Sequence, residues 1–171
     1  MTKLSNDIQS VFEIQSQQKW VNKASNAAHR IDKLQRLKQA IQLREQDVIQ
    51  ALHVDFRRDA ETSETEILMI YSEIEHTVAE LADWMAPVEV DPTPYADSRA
   101  RIITEGRGIV LLFGPWNVPF ALLFQPLVSS IAAGNCAMVK PNELAPSISK
   151  VAAEIIRDVF DEKDVAVFEG G

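Results

Sequence analysis

No glycine occurs before Gly106, and all six glycines of the chain lie from that position onward. A glycine in a helix interior costs roughly 1 kcal/mol relative to alanine, so a long glycine-free stretch favours a continuous helical block. The apolar spacing agrees. Leu4, Ile8, Val11 and Phe12 recur at helical intervals behind a polar Ser5-Asn6-Asp7 first turn. Ile31, Leu34, Leu37, Ile41 and Leu43 mark a longer helix, and Val48, Leu52 and Phe56 extend it or begin another. Thr62-Ser63-Glu64 opens the next, whose stripe of Ile67, Ile70, Ile74, Val78, Leu81 and Met85 stops at Pro87. Residues 1–87 read as a helical N-terminal segment.

After Pro87 the character changes. Val88 to Tyr95 is proline-punctuated and extended, and Ser98 to Glu105 suits a short strand before the Gly106-Arg107-Gly108 turn. Residues 88–107 therefore read as a bridging segment. Residues 108–171 then alternate: strand 109–113, a special loop 114–118, a helix over about 119–133, strand 136–139, loop 140–146, helix 147–160, and a final strand from Val165 to Phe168. This strand-helix-strand-helix-strand order predicts parallel strands with right-handed crossovers. The fold class is α/β: a helical N-terminal segment on an incomplete doubly wound, Rossmann-like parallel sheet. The helix from Phe120 to Ala133 carries Leu122, Leu123, Phe124, Leu127, Val128 and Ile131 on several sides. It suits a position between layers, with neighbours partly outside this chain.

Charge narrows the function classes. Twenty-five acidic residues against seventeen basic ones give a net charge of -8 without any basic block, which disfavours nucleic acid and anionic membrane as partners. No apolar stretch approaches the roughly 18 residues of a membrane span, and the N-terminus lacks an apolar leader, so a cytoplasmic protein is expected. One cysteine excludes an internal disulfide. His29, His53 and His76 read as isolated surface histidines, and Glu64, Glu66, Glu73, Glu75 and Glu80 as a solvated acidic face. No metal site is expected.

The chemistry-bearing residues lie in the two loops, because ligands of open α/β sheets sit outside the carboxyl ends of the strands. The first reads Gly114-Pro115-Trp116-Asn117-Val118-Pro119. Gly114 permits a tight or positive-φ turn, and the two prolines fix φ and remove donors. Such a stiff loop can hold the Asn117 amide as a fixed donor for a developing oxyanion. Asn117 also suits a cap on the following helix, and spacing alone favours the cap. The second loop reads Lys140-Pro141-Asn142-Glu143. A carboxylate there can accept from ribose hydroxyls and an ammonium can donate to them; a solvated surface pair is the alternative. Neither GxGxxG nor GxxxxGK[ST] occurs in the chain.

Taken in order, Gly114-Pro115-Trp116-Asn117 with Val118-Pro119, then Ala132-Ala133-Gly134-Asn135, then Lys140-Pro141-Asn142-Glu143-Leu144-Ala145-Pro146 closely resemble the NAD(P)-dependent aldehyde dehydrogenase superfamily. The helical half, with Leu52 to Phe56, Glu73-Ile74-Glu75 and Trp84, is most similar to its short-N-terminus branch for fatty and aromatic aldehydes. The resemblance spans nearly the whole chain and only the N-terminal portion of such an enzyme. It implies that Asn117 helps form the oxyanion hole, that Lys140 and Glu143 hold the adenosine ribose, and that Trp116 lies beside the cofactor. NAD+ is the implied cofactor, with NADP+ as the alternative, and this chain alone is a poor candidate for holding it. Val118 departs from a common aromatic and Asn142 from a common serine; the second change is expected to matter little.

The reaction implied is oxidation of an aldehyde to a carboxylic acid. In the family a cysteine thiolate attacks the aldehyde, hydride leaves for the nicotinamide, and a glutamate-activated water releases the acid. The only cysteine here, Cys136, sits among apolar strand residues and reads as a small buried hydrophobe. The nucleophile, the general base and the glycine-rich turn of the family are not among these residues. The isolated chain is therefore expected to be inactive, and the competing reading is a non-catalytic truncated remnant or interaction module. Partners implied are an aldehyde substrate, a complementing remainder of the enzyme, or further copies of this chain.

Overall fold

The computed structural model describes residues 3–94 and 97–170, with side chains from Ile8 onward. Tyr95 and Gly171, which figured in the expectations above, lie outside that description, as does the side chain of Leu4. Helices α1 (Lys3–Lys23), α2 (Ala27–Gln42), α3 (Glu45–Phe56) and α4 (Ala60–Trp84) form the first half. Their ends have local causes. The Asn26 side chain accepts from His29 N at 3.0 Å and starts α2, and Asp59 accepts from Thr62 N at 2.7 Å and starts α4. Arg57, at φ 57°, ends α3 in the left-handed region.

The second half follows the expected order: β3 (Ile109–Phe113), α5 (Ala121–Ala132), β4 (Cys136–Lys140), α6 (Pro146–Val159) and β5 (Val165–Val167). The three strands form a parallel sheet in the order β3-β4-β5, with Ile109 opposite Cys136 and Phe113 opposite Lys140. The bridging segment contributes two short strands, β1 (Val88–Val90) and β2 (Ala100–Ile102), paired antiparallel and apart from that sheet. The strand expected over 98–105 is thus shorter, and its partner is the segment read only as extended.

The apolar stripes of α2, α3 and α4 meet α5 and α6 in one large core that includes Leu34, Ile41, Leu52, Ile70, Phe124 and Ile156. Along β4 the side chains alternate: Ala137 and Val139 face this core, whereas Met138 packs with Val11 and Ala166 on the opposite face of the sheet. Helix α1 therefore covers the second face.

Several expectations need correction. Leu43 is 86% exposed, because α2 has ended at Gln42 and the position no longer belongs to its buried stripe. Phe12 and Ile8 are also exposed; α1 buries Val11 together with the polar Gln15 and Asn22. Gln15 Nε2 donates to Ala137 O and Glu162 O at 3.1 and 2.8 Å, so hydrogen bonds to the sheet replace apolar packing along that helix. Helix α5 is sandwiched as expected, but within this chain: Leu123, Phe124, Leu127, Val128 and Ile131 are all buried, and Leu122 remains exposed. Finally, Glu66 is not part of a solvated acidic face. It is 3% exposed.

Candidate functional site

The register that sets Phe113 beside Lys140 places the loops after β3 and β4 side by side at the carboxyl end of the sheet. They are tied to each other at Gly114. Its N–H donates to Lys140 O at 2.9 Å, and its carbonyl accepts from Asn142 Nδ2 at 3.1 Å. Asn142 Oδ1 also accepts from Leu144 N at 3.0 Å, which shapes the second loop. Asn142 is thus a bridge between the loops rather than a neutral replacement. Of the two options the sequence left for Gly114, a tight turn or a positive φ, the positive φ is not taken. A Cβ there would stand 3.0 Å from Leu123 Cδ1, so a side chain at this position would press on Leu123 of α5.

Trp116 and Asn117 are exposed, whereas Gly114, Pro119 and Phe120 are buried. Asn117 does not cap α5: the N-cap residue is Phe120, with no capping side chain of its own. The first turn of α5 is satisfied from another helix. Glu66 Oε2 accepts from Phe120 N at 3.0 Å and from Ala121 N at 2.9 Å. Its other oxygen pairs with Arg58, which also donates to the carbonyl of Asn117. Asp55 treats α6 in the same way, accepting from Ser147 N and Ile148 N at 3.2 and 2.9 Å. Arg58, Glu66 and Asp55 all come from the α3–α4 corner, and sequence reasoning missed them. One signal existed for Glu66: it lies four residues before Ile70 and eight before Ile74, on the buried stripe of α4.

In the second loop, Lys140 Nζ donates to Glu143 Oε2 at 3.1 Å and to Pro141 O at 3.1 Å. A bond from its own backbone N–H, and then Lys140, hold the Glu143 carboxyl below its ordinary range, so it is an ionised acceptor at neutral pH. An exposed carboxylate with an adjacent ammonium is a donor and acceptor set that fits a vicinal diol. The first turns of α5 and α6 offer less to a phosphate, since their N–H groups already meet carboxylates.

Cys136 lies at the opposite end of β4, four residues and about 13 Å of strand from Lys140. It is fully buried, and that burial pushes its thiol up to about 11 despite a hydrogen bond from Asn22 at 3.3 Å. The sequence reading of an inert, buried cysteine stands. The exposed His29, His53 and His76 gather no metal-binding group, and none occurs among the described residues. No described helix is long and apolar enough to cross a membrane.

The third motif, Ala132-Ala133-Gly134-Asn135, has a structural role. Gly134, at φ 76°, lies against the buried Arg30, whose guanidinium donates to Ala132 O at 2.9 Å and to Lys23 O at 3.1 Å. Asn135 Oδ1 accepts from Gly108 N at 2.8 Å and so orders the entry to β3.

Helices layered on both faces of a three-stranded parallel sheet, with two tied loops at its carboxyl end, define an α/β fold. The chain belongs to the aldehyde dehydrogenase family, whose sequence pattern matches residues 5–170. Among its relatives, Bacillus subtilis AldX is 40% identical over 98% of this chain and 38% of AldX. The 4,4'-diaponeurosporen-aldehyde dehydrogenase of Staphylococcus aureus is 37% identical over 83% of this chain and 31% of that protein. A Staphylococcus aureus AldH in its substrate-bound state superposes with a TM-score of 0.91 at 32% identity, covering 100% of this chain and 37% of AldH. The chain thus matches the N-terminal portion of its relatives and spans well under half their length.

Proposed function

We propose that these residues form the part of an aldehyde dehydrogenase that supplies the Asn117 amide to the reaction's oxyanion and the Lys140–Glu143 pair to the adenosine ribose of NAD(P)+. The observation that carries this reading is the arrangement of the 114–118 loop. Asn117 is exposed at the carboxyl end of β3 while its backbone carbonyl is held by Arg58. With its backbone fixed in this way, the Asn117 side chain needs less reorganisation to donate its amide N–H to a negative oxygen. Glu143 accepts from ribose hydroxyls, Lys140 keeps it ionised, and Trp116 covers the cofactor beside them. The bound cofactor supplies the hydride acceptor. Cys136, fully buried with its thiol pushed up to about 11, is not placed to act as the nucleophile.

A fusion in which residues 5–170 replace the matched segment of AldX tests the proposal. Aldehyde-dependent formation of NAD(P)H is expected, with loss of about 10²–10³ in kcat for Asn117→Ala. Activity untouched by that change would overturn the role of Asn117. The 171-residue chain by itself is expected to show no turnover.

Self-association belongs to the same proposal. β3 is an edge strand, and Leu111 and Phe113 on it are 57% and 70% exposed. An edge of this kind recruits a further strand or a second copy. Sedimentation over a concentration series checks this, and a monomer throughout would refute it.

A further inference from the structure

Asn117 does its proposed work only if its loop is held still, and the loop's own sequence explains this incompletely. Pro115 and Pro119 each fix a φ angle, and Pro119 is buried, but neither has an N–H with which to tie the loop by a hydrogen bond. The anchors come from elsewhere. Glu66 is a carboxylate 3% exposed, and a buried charge of this kind is costly unless it is paired and hydrogen-bonded. Its Oε2 takes the N–H groups of Phe120 and Ala121 at 3.0 and 2.9 Å, and its Oε1 takes Arg58. Arg58 extends its other terminal nitrogen to the carbonyl of Asn117. The contacts close a ring that pins the chain on both sides of Val118 and Pro119. Capping of α5 would explain Glu66 alone. It does not explain why the arginine neutralising Glu66 also grips the residue that carries the oxyanion donor.

We propose that Arg58 and Glu66 are positioning residues for catalysis: the pair fixes the backbone of Asn117 so that its side-chain amide stands ready for the oxyanion. The inference rests on the reading of Asn117 given above. A guanidinium is suited to the task because its planar fork serves two acceptors at once, whereas a lysine ammonium on a flexible stem holds one geometry less well.

Two measurements test it. The first uses the 171-residue chain and ¹⁵N relaxation. The Asn117 backbone order parameter is expected to fall from about 0.85 to below about 0.6 in Arg58→Ala and partly in Arg58→Lys, with the α5 interior unchanged. An unchanged value at Asn117 would overturn the proposal whatever the chain's activity. The second uses the AldX fusion, with kcat normalised to titrated active sites. Arg58→Ala and Glu66→Gln are expected to lower kcat about tenfold or more while KM for the cofactor stays constant, and Arg58→Lys to restore part of the loss. A fall in folded protein alone, with normalised kcat intact, would show a purely structural pair. An inactive parent fusion would count against the functional reading of Asn117 and leave the relaxation result to decide whether the pair holds the loop.

Discussion

Asp55 reaches from α3 to the start of α6 and accepts from the N–H of Ile148 at 2.9 Å, with Ser147 N at 3.2 Å on its second oxygen. With Glu66 at α5, the helical half of the chain thus supplies a carboxylate to the first turn of each sheet-flanking helix in this segment. Such turns are ordinarily anion sites. Here they serve to dock one half of the fold on the other.

Asp55→Ala is expected to destabilise the chain by about 1–2 kcal/mol, the range for loss of a helix cap with its favourable dipole interaction. Urea unfolding measures it. If Asp55→Ala leaves the midpoint where it was, the contact contributes nothing to stability.

Gly134 combines a φ of 76° with a Cβ position 2.6 Å from the Arg30 guanidinium carbon and 2.9 Å from Asn22 O. Gly134→Ala is expected to cost about 2 kcal/mol or more, strain and overlap together. Gly170, at φ 102° with nothing within 4 Å, isolates the strain contribution. Gly170→Ala should therefore be clearly milder in the same thermal melts, and equal losses would refute the role given to Arg30.

Lys33 donates to Asp164 at 2.8 Å, and both side chains are 14% exposed. Burial alone raises the Asp164 carboxyl, but Lys33, Asn22 and Gln18 together outweigh it and hold it below the ordinary 3.8. A depressed carboxylate contributes stability that is fully present above pH 3.8 and is lost as pH falls through its folded-state value. Asp164→Asn should therefore be less stable at neutral pH and lose less stability on acidification than the parent. Parallel stability-against-pH curves for the two proteins would contradict this.

Glu143, ionised and exposed, repels the extra 2′-phosphate of NADP+ at the ribose position proposed for it. In the AldX fusion, Glu143→Gln is expected to raise the NADP+ to NAD+ ratio of kcat/KM several-fold. An unchanged ratio would remove Glu143 from the ribose.

The sequence alone determined the order of the elements and the location of the two loops. Periodicity, glycine placement and proline placement act within a few residues, so the stripe of α4, the strand at Ile109 and the stop before Pro115 were all legible. Gly114, Asn117, Lys140 and Glu143 could be singled out because the ordered motifs that contain them carry the family resemblance, whereas spacing alone favoured a capping role for Asn117. What spacing cannot carry is contact between distant positions. Glu66 counted as one more surface acid until α5 was seen to present two N–H groups to it, across 54 residues of sequence. Arg58 counted as nothing until Asn117, 59 residues away, accepted its hydrogen bond. Gly114 looked like a turn residue, and only the packing of Leu123 showed that it makes room. Only the tertiary structure could decide whether each of these polar groups met water or a partner, because a charge is tolerated in a buried place only when the fold brings its partner there.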